Sequence, residues 1–286
     1  YLPYLLCKIK LVKGDKMKNK RWLIYVSLIF LSLLAIAPFI WTLYNSFILN
    51  DLDMNKGFLS LDKYGLDNYI YIFTRSKVLR WTLNSIFVTL TITIGNLVFN
   101  SMAGYALARF NFKGRKILFY YVLAIMMVPT QIILIPIFLQ IANLNMINSY
   151  AGLIIPFLIN PFGVFLMRQF YLDFPKAIEE AARIDGLSNF GVFSRIIIPL
   201  SKGPLMTQGI LIFVWNWNSF TLPSIIVNST DKFTLPLGIY QITNTQYIAS
   251  VTKALSAMVL TLLPTIILYV LFQKYLTSSK ATSGIK

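Results

Sequence analysis

Charged residues are scarce in this chain, and one stretch orders them in a way that could do chemistry. It reads Phe174-Pro-Lys-Ala-Ile-Glu-Glu-Ala-Ala-Arg-Ile-Asp-Gly-Leu-Ser-Asn-Phe190 and runs on to Arg195-Ile-Ile-Ile-Pro199. Pro175 suits the first turn of a helix, and Asp173, Glu179 and Glu180 suit its N-terminal half, where free backbone N–H groups favour negative charge. Ala177, Ala181 and Ile184 share one face, with Ile178 and Ala182 beside it. Asp185-Gly186 is a stop signal, because glycine takes the left-handed conformation that ends a helix. Ser188 then caps a second short helix that runs to Pro199. The spacing predicts a helix–turn–helix whose small residues let a partner's backbone come close, so its chemistry is docking. The competing reading is an amphipathic hairpin lying on lipid; the alanine-rich face lacks the large anchors such helices use.

Catalysis has few resources here. There is no histidine, and Cys7 is the single cysteine. That leaves no disulfide within the chain and no Cys/His zinc site. It also removes the commonest general base and the usual nucleophile–base pairs. None of the 14 glycines begins G-x-x-x-x-G-K-[ST], so a phosphate-cradling loop is absent. Gly186 and Gly191 have the spacing, but Val192 stands where lysine is required.

Two further groups could contact a solute. Thr89, Thr93, Asn96 and Asn100 fall on one helical face by their spacing. Polar groups inside a bilayer face either neighbouring helices or a water-filled cavity, and the spacing leaves both open. Trp215-Asn-Trp-Asn-Ser-Phe220 sets aromatic faces beside amides, including Asn218. That combination suits a sugar, whose C–H faces and hydroxyls need both, or it anchors a helix at the interface.

The elements that position these residues are apolar and long. The chain has 286 residues, 57% hydrophobic and 13% charged, where a soluble domain has roughly 25% charge. Six stretches have the roughly 20 apolar residues a membrane-crossing helix needs: about Trp22–Asn45, Thr82–Leu107, Ile117–Ile141, Tyr150–Arg168, Pro204–Val227 and Thr252–Leu276. Backbone groups in lipid must bond internally, so the expected fold is an all-α integral membrane protein. Prolines at 38, 129, 136, 156, 161, 223 and 264 fall within or near the spans; they are either tolerated or bend helices around a pathway.

The net charge of +16 could suggest nucleic acid, but the bases sit between apolar runs and not on one water-facing patch. Seven of the 26 Lys and Arg lie in the segments placed outside, namely Lys56, Lys63, Arg75, Lys77, Arg80, Lys232 and Lys253; the acids split evenly. That bias puts both termini in the cytoplasm. The organisation read from this is a cytoplasmic tail over 1–21, a membrane domain over 22–277 with an inner loop at 171–202, and a second tail over 278–286. Span 1 has no small-residue cleavage site after it and reads as a retained anchor. Met17, followed by Lys18-Asn-Lys-Arg21, reads as a start near the natural one.

The docking segment resembles the coupling-loop signature of ABC importer permeases. That pattern is Glu-Ala-Ala, x3, Gly, x9, Ile-x-Leu-Pro; here it is Glu180-Ala181-Ala182, Gly186 and Ile196-x-Ile198-Pro199, with Ile198 as the departure. Pro161-Phe-Gly-Val-Phe-Leu-Met-Arg-Gln-Phe170 and Arg183-Ile-Asp-Gly186 are similar to the carbohydrate-uptake branch. So are Ala103-Gly-Tyr-Ala-Leu-Ala-Arg-Phe110, Met127-Val-Pro-Thr-Gln131, Asn148-Ser-Tyr-Ala-Gly-Leu-Ile154 and Phe233-Thr-Leu-Pro-Leu-Gly238. Gly203-Pro204 and Asn218 depart from that branch and weaken any guess at the sugar.

The resemblance implies a type I importer-like domain. Glu180, Ala181, Ala182, Asp185, Gly186 and Pro199 would meet an ATPase dimer that holds ATP and Mg, with no cofactor on this chain. It further implies a second, different permease subunit and an extracellular solute-binding protein, set in lipid. Thr93, Asn96, Asn100, Trp215 and Asn218 become candidates for a sugar route. A permease for another solute is the alternative. A stand-alone secondary transporter is the other class, and it would place ionisable groups mid-membrane, where these spans have none.

Overall fold

The computed structural model describes residues 2–54, 63–244 and 250–277, with side chains from Trp22 to Phe272 apart from that of Leu52. The expected C-terminal tail over 278–286 lies outside the described residues. What is described is helical, with no strand beyond a single bridge between Ile48 and Tyr64. The helices are α1 Leu2–Ser46, α2 Asp67–Arg75, α3 Val78–Arg109, α4 Arg115–Met126, α5 Thr130–Asn143, α6 Tyr150–Ile154, α7 Pro161–Asp173 and α8 Lys176–Ile184. They continue as α9 Asn189–Leu200, α10 Lys202–Trp217, α11 Thr221–Ile226, α12 Leu235–Asn244 and α13 Val251–Thr277.

Among the described residues, four helical stretches are long and apolar enough to cross a membrane, and six are if each of two bent pairs counts as one span. The expected span Ile117–Ile141 is the first correction. It is two helices, α4 and α5, meeting at 106°. Pro129 has no N–H to continue α4, and a residue before proline avoids the α region, so the helix stops at Met126. The expected span Pro204–Val227 is the second. Its helix α10 ends at Trp217, α11 is separate, and α10 meets α9 at 77°. Asn216 and Asn218 turn their side-chain amides back onto Ile212 and Val214 carbonyls at 2.8 Å each. Pro223 has no N–H for a helical bond to Ser219.

The chain packs as two compact units, one of residues 1–69 with 250–259 and the other of 70–249 with 260–286. In the first, Trp22–Trp41 of α1 is exposed along its length. Asp51 holds the start of α13, accepting from the Val251 and Thr252 amides at 2.9 and 3.0 Å. Burial pushes its carboxyl up, but those N–H donors and Ser250 outweigh it and hold the acid below its ordinary 3.8.

The second unit is built on α3, against which α7, α10 and α12 pack. Gly104 makes the α3–α7 approach possible: a Cβ there would lie 2.8 Å from Met167 Cβ and 2.9 Å from the Arg168 amide. Small residues let membrane helices come this close. At the other end of α3, Trp81 Nε1 donates to the Thr230 carbonyl at 2.7 Å, and Asn84 Nδ2 to those of Asp231 and Phe233.

Candidate functional site

The docking segment folds as its residues direct. α8 starts after Pro175 and ends at Ile184. Gly186 has φ +85°. Its amide donates to Arg183 O at 3.0 Å, and the Leu187 amide to Ala182 O at 3.1 Å. That pair of bonds closes a helix through a left-handed residue. Ser188 Oγ then accepts from the Gly191 amide at 3.2 Å and caps α9. α9 runs on past Pro199 to Leu200 through a π-helical stretch at Phe193–Ile197.

The two faces of α8 differ. Ala182 packs inward with Tyr105, Ala108, Met167, Tyr171, Val192 and Ile197. It therefore faces the protein's own core, not the outward surface expected of a docking residue. Glu180, Ala181, Asp185, Gly186 and Pro199 are exposed. So are Ala177 and two large apolar side chains, Ile184 at 86% and Phe190 at 69%. Polar groups and bare apolar side chains interleaved on one face are what a partner surface needs.

Glu179, which the sequence left among the N-terminal acids, is the residue that fastens α8. Its Oε1 lies 2.7 Å from Arg109 Nε, with both side chains 5% exposed. The contact is Coulombic, because no aligned hydrogen bond joins those two atoms. Tyr105 Oη donates to Glu179 Oε2 at 2.9 Å, and Arg109 Nη2 donates to the Phe174 carbonyl. These contacts join α8 and the segment before it to the end of α3. The signal available beforehand was an acid in a helix whose register turns it inward, beside Ala182.

The polar stripe of α3 has a local explanation. Thr89, Thr93, Asn96 and Asn100 are all buried. Opposite them the span Tyr150–Asp173 breaks between Ile154 and Pro161. Pro161 has no N–H, so the Phe157 carbonyl lacks its helical donor, and Asn96 Nδ2 supplies one. Asn100 Oδ1 accepts from the Asn160 amide at 3.0 Å, while its Nδ2 donates to Asn96 Oδ1 at 3.0 Å. Asn160 Oδ1 restarts the helix by accepting from Gly163 at 3.2 Å. Thr93 Oγ1 bonds back to Thr89 O at 2.7 Å.

A cavity of about 430 Å³ lies nearby, lined by Gln131, Thr130, Asn216, Asn218 and Phe220 over an apolar floor that includes Ile92 and Leu134. Of the five residues singled out for a solute route, Asn218 is in its lining; Thr93, Asn96, Asn100 and Trp215 are not. Trp215 is 51% exposed and tilts against Phe162 with centroids 5.7 Å apart. Trp217 is buried, stacks on Phe213 and donates to Thr261 O at 3.0 Å. Among the described residues no cluster of acids, histidines or cysteines could hold a metal ion.

Comparison with known proteins adds a family. A model described as the binding-protein-dependent transport system inner membrane component matches residues 100–280. The chain is 35% identical over 269 residues to the arabinooligosaccharides transport system permease protein AraQ of Halalkalibacterium halodurans, covering 93% of this chain and 96% of that one. It is 39% identical over 221 residues to the Bacillus subtilis protein of the same name, covering 77% and 78%. A crystal structure of a bacterial ABC transporter involved in the import of the acidic polysaccharide alginate contains a chain of the same fold. There the TM-score is 0.77 at 24% identity, covering 88% of this chain and 94% of the other.

Proposed function

Because the chain belongs to the family of binding-protein-dependent transport system inner membrane components, we propose that it is the permease half through which a sugar or oligosaccharide enters the cell. It is a multi-pass component of the cell membrane, and ATP is hydrolysed by a partner subunit. The finer assignments are a second, different permease subunit, an ATPase dimer holding ATP and Mg, and an extracellular solute-binding protein. Glu180, Ala181, Asp185, Gly186 and Pro199 would form the ATPase-facing surface, with Ala182 setting its back.

The observation that carries this reading is the two-faced helix α8. Its outer face is exposed, with a bare Ile184, and its inner face is fastened to α3 through Glu179 and Arg109. Such a lever transmits force from a docked partner to a span. A sugar is favoured by the relatives' names and by the cavity around Asn218, where amides and hydroxyls stand over apolar walls. Asn96 and Asn100 would serve the route indirectly, by holding the broken span in place.

The test is uptake into membrane vesicles carrying the chain with a second permease, an ATPase and a binding protein. Labelled arabinooligosaccharides, maltooligosaccharides and glycerol phosphate would be compared with ATP present or absent. ATP-dependent uptake of a saccharide is the expected result. Uptake of the phosphate ester alone would replace the sugar with another solute, and uptake without the ATPase would remove the importer reading.

A further inference from the structure

At the start of α4 the structure holds a second cavity, of about 690 Å³, into which cations converge. Arg115 and Lys116 come from the first turn of α4, and Arg168 comes from α7. Lys113, one residue before the turn glycine, is exposed beside them. No acid lines the cavity, and among the described residues none of these cations is in an ion pair. Like charges around one cavity repel each other, and an anion would relieve that repulsion.

The two guanidiniums are held in place. Arg168 lies over the Phe119 ring at 3.7 Å from its centroid, and its Nε donates to Leu107 O at 3.4 Å. Arg115 Nη1 donates to Phe110 O and Asn111 Oδ1 at 3.2 and 3.1 Å. These bonds fix the groups while leaving donors on each guanidinium for a ligand. Gly114, with φ +88°, precedes α4 and gives it no side-chain cap. The Arg115 amide donates to Phe112 O at 3.3 Å, which leaves the Lys116 and Ile117 amides of the first turn without a helical acceptor.

The surroundings say where the anion comes from. α3 ends at Arg109, which reaches Phe174 of the cytoplasmic docking segment, so this cavity lies at the inner end of the spans. Directly beyond the cations, Ile117, Leu118 and Tyr120 of α4 are 63%, 52% and 64% exposed, and none of α4 is buried. A cationic cavity continuous with a bare apolar helix matches a molecule with a phosphate at one end and acyl chains at the other. Basic pockets on the cytoplasmic side of membrane helices bind such headgroups. We propose that this cavity is a binding site for the phosphate headgroup of an anionic phospholipid, whose acyl chains lie along α4.

The experiment uses the assembled transporter in nanodiscs of phosphatidylcholine containing a photoreactive phosphatidylglycerol. A phosphatidylcholine probe bearing the same photoreactive chain is the control. Cross-linked peptides are mapped by mass spectrometry, with no need for transport. The phosphatidylglycerol probe should label residues 111–120 in preference to the control. Labelling should fall about fivefold for each charge removed in Lys116→Gln and Arg168→Gln, and excess inorganic phosphate should leave it unchanged. Equal labelling by the two probes, or labelling indifferent to both variants, overturns the site. Displacement by inorganic phosphate overturns the lipid and leaves a free-phosphate site. If Arg168→Gln fails to assemble, Lys116→Gln, whose side chain is exposed, decides the matter alone.

Discussion

Glu179 and Glu180 are adjacent acids with opposite surroundings, and their substitution should separate folding from docking. Glu179→Ala leaves Arg109 buried without its counter-charge, a loss of about 3–5 kcal/mol for a pair of this kind. The purified assembly should then lose thermal stability. Arg109→Met combined with Glu179→Leu should recover most of it, because the pair is removed together. Glu180→Lys changes an exposed side chain; thermal stability should hold while co-purification of the ATPase falls. Gly186→Val acts through the turn. Its Cβ would meet nothing within 4 Å, so the cost is the left-handed backbone, about 1–2 kcal/mol. A strained turn re-aims α8, and ATP turnover should no longer respond to the binding protein; a normal stimulated rate in both Glu180→Lys and Gly186→Val would remove the coupling role. Gly186 and Ser188 were legible because caps and stops act over a few residues. The Glu179–Arg109 pair was not, because an ion pair between distant segments leaves no periodic signal.

At the scale of elements, apolar length showed where the chain enters the membrane, while breaks inside the spans depended on what replaces the lost hydrogen bonds. Proline positions alone left tolerance and bending both open. The structure separates them: Pro38 and Pro264 lie inside continuous helices, whereas Pro129 and Pro161 mark breaks. The Asn96–Asn100 stripe belongs with the second break. Asn96→Leu strips the Phe157 carbonyl of its side-chain donor, at a cost of about 1–3 kcal/mol. Its expected signature is a lower melting temperature in detergent. A variant that melts like the wild type but transports poorly would put Asn96 back on a solute route. In the first unit, Asp51 holds the start of α13 as a carboxylate. A depressed carboxyl stabilises above its unfolded value and loses that contribution as pH falls through its folded value, here from 3.8 downward. Amide protection at Val251 and Thr252 should fall across that window, and in Asp51→Asn the pH dependence should vanish.

For the whole molecule, the proposed reading puts docking at α8, and the structure has a solute-sized space beside the break between α4 and α5. Both the break and the space are properties of the folded chain: Gln131 and Asn218 are far apart in sequence and meet in one lining only because α5 turns away from α4 at 106° and α10 ends at Trp217. That is why Asn218 could be singled out from its neighbours' chemistry and Gln131 could not. If the space is part of the route, the Gln131 amide and the Asn218 Oδ1, whose Nδ2 bonds Val214 O, contact the sugar. Asn218→Ala and Gln131→Ala should each raise the KM for ATP-dependent uptake, about fivefold for one hydrogen bond of roughly 1 kcal/mol. ATPase docking should stay at the wild-type value in both; melting temperature should hold in Gln131→Ala, which is exposed, and fall by no more than one exposed hydrogen bond's worth in Asn218→Ala, which loses its bond to Val214 O. Trp215, which lies outside the lining, provides the contrast: Trp215→Ala should leave KM unchanged. An unchanged KM in both amide variants, measured at equal expression, would mean that the sugar passes elsewhere and that this chain supplies the coupling lever without touching its cargo.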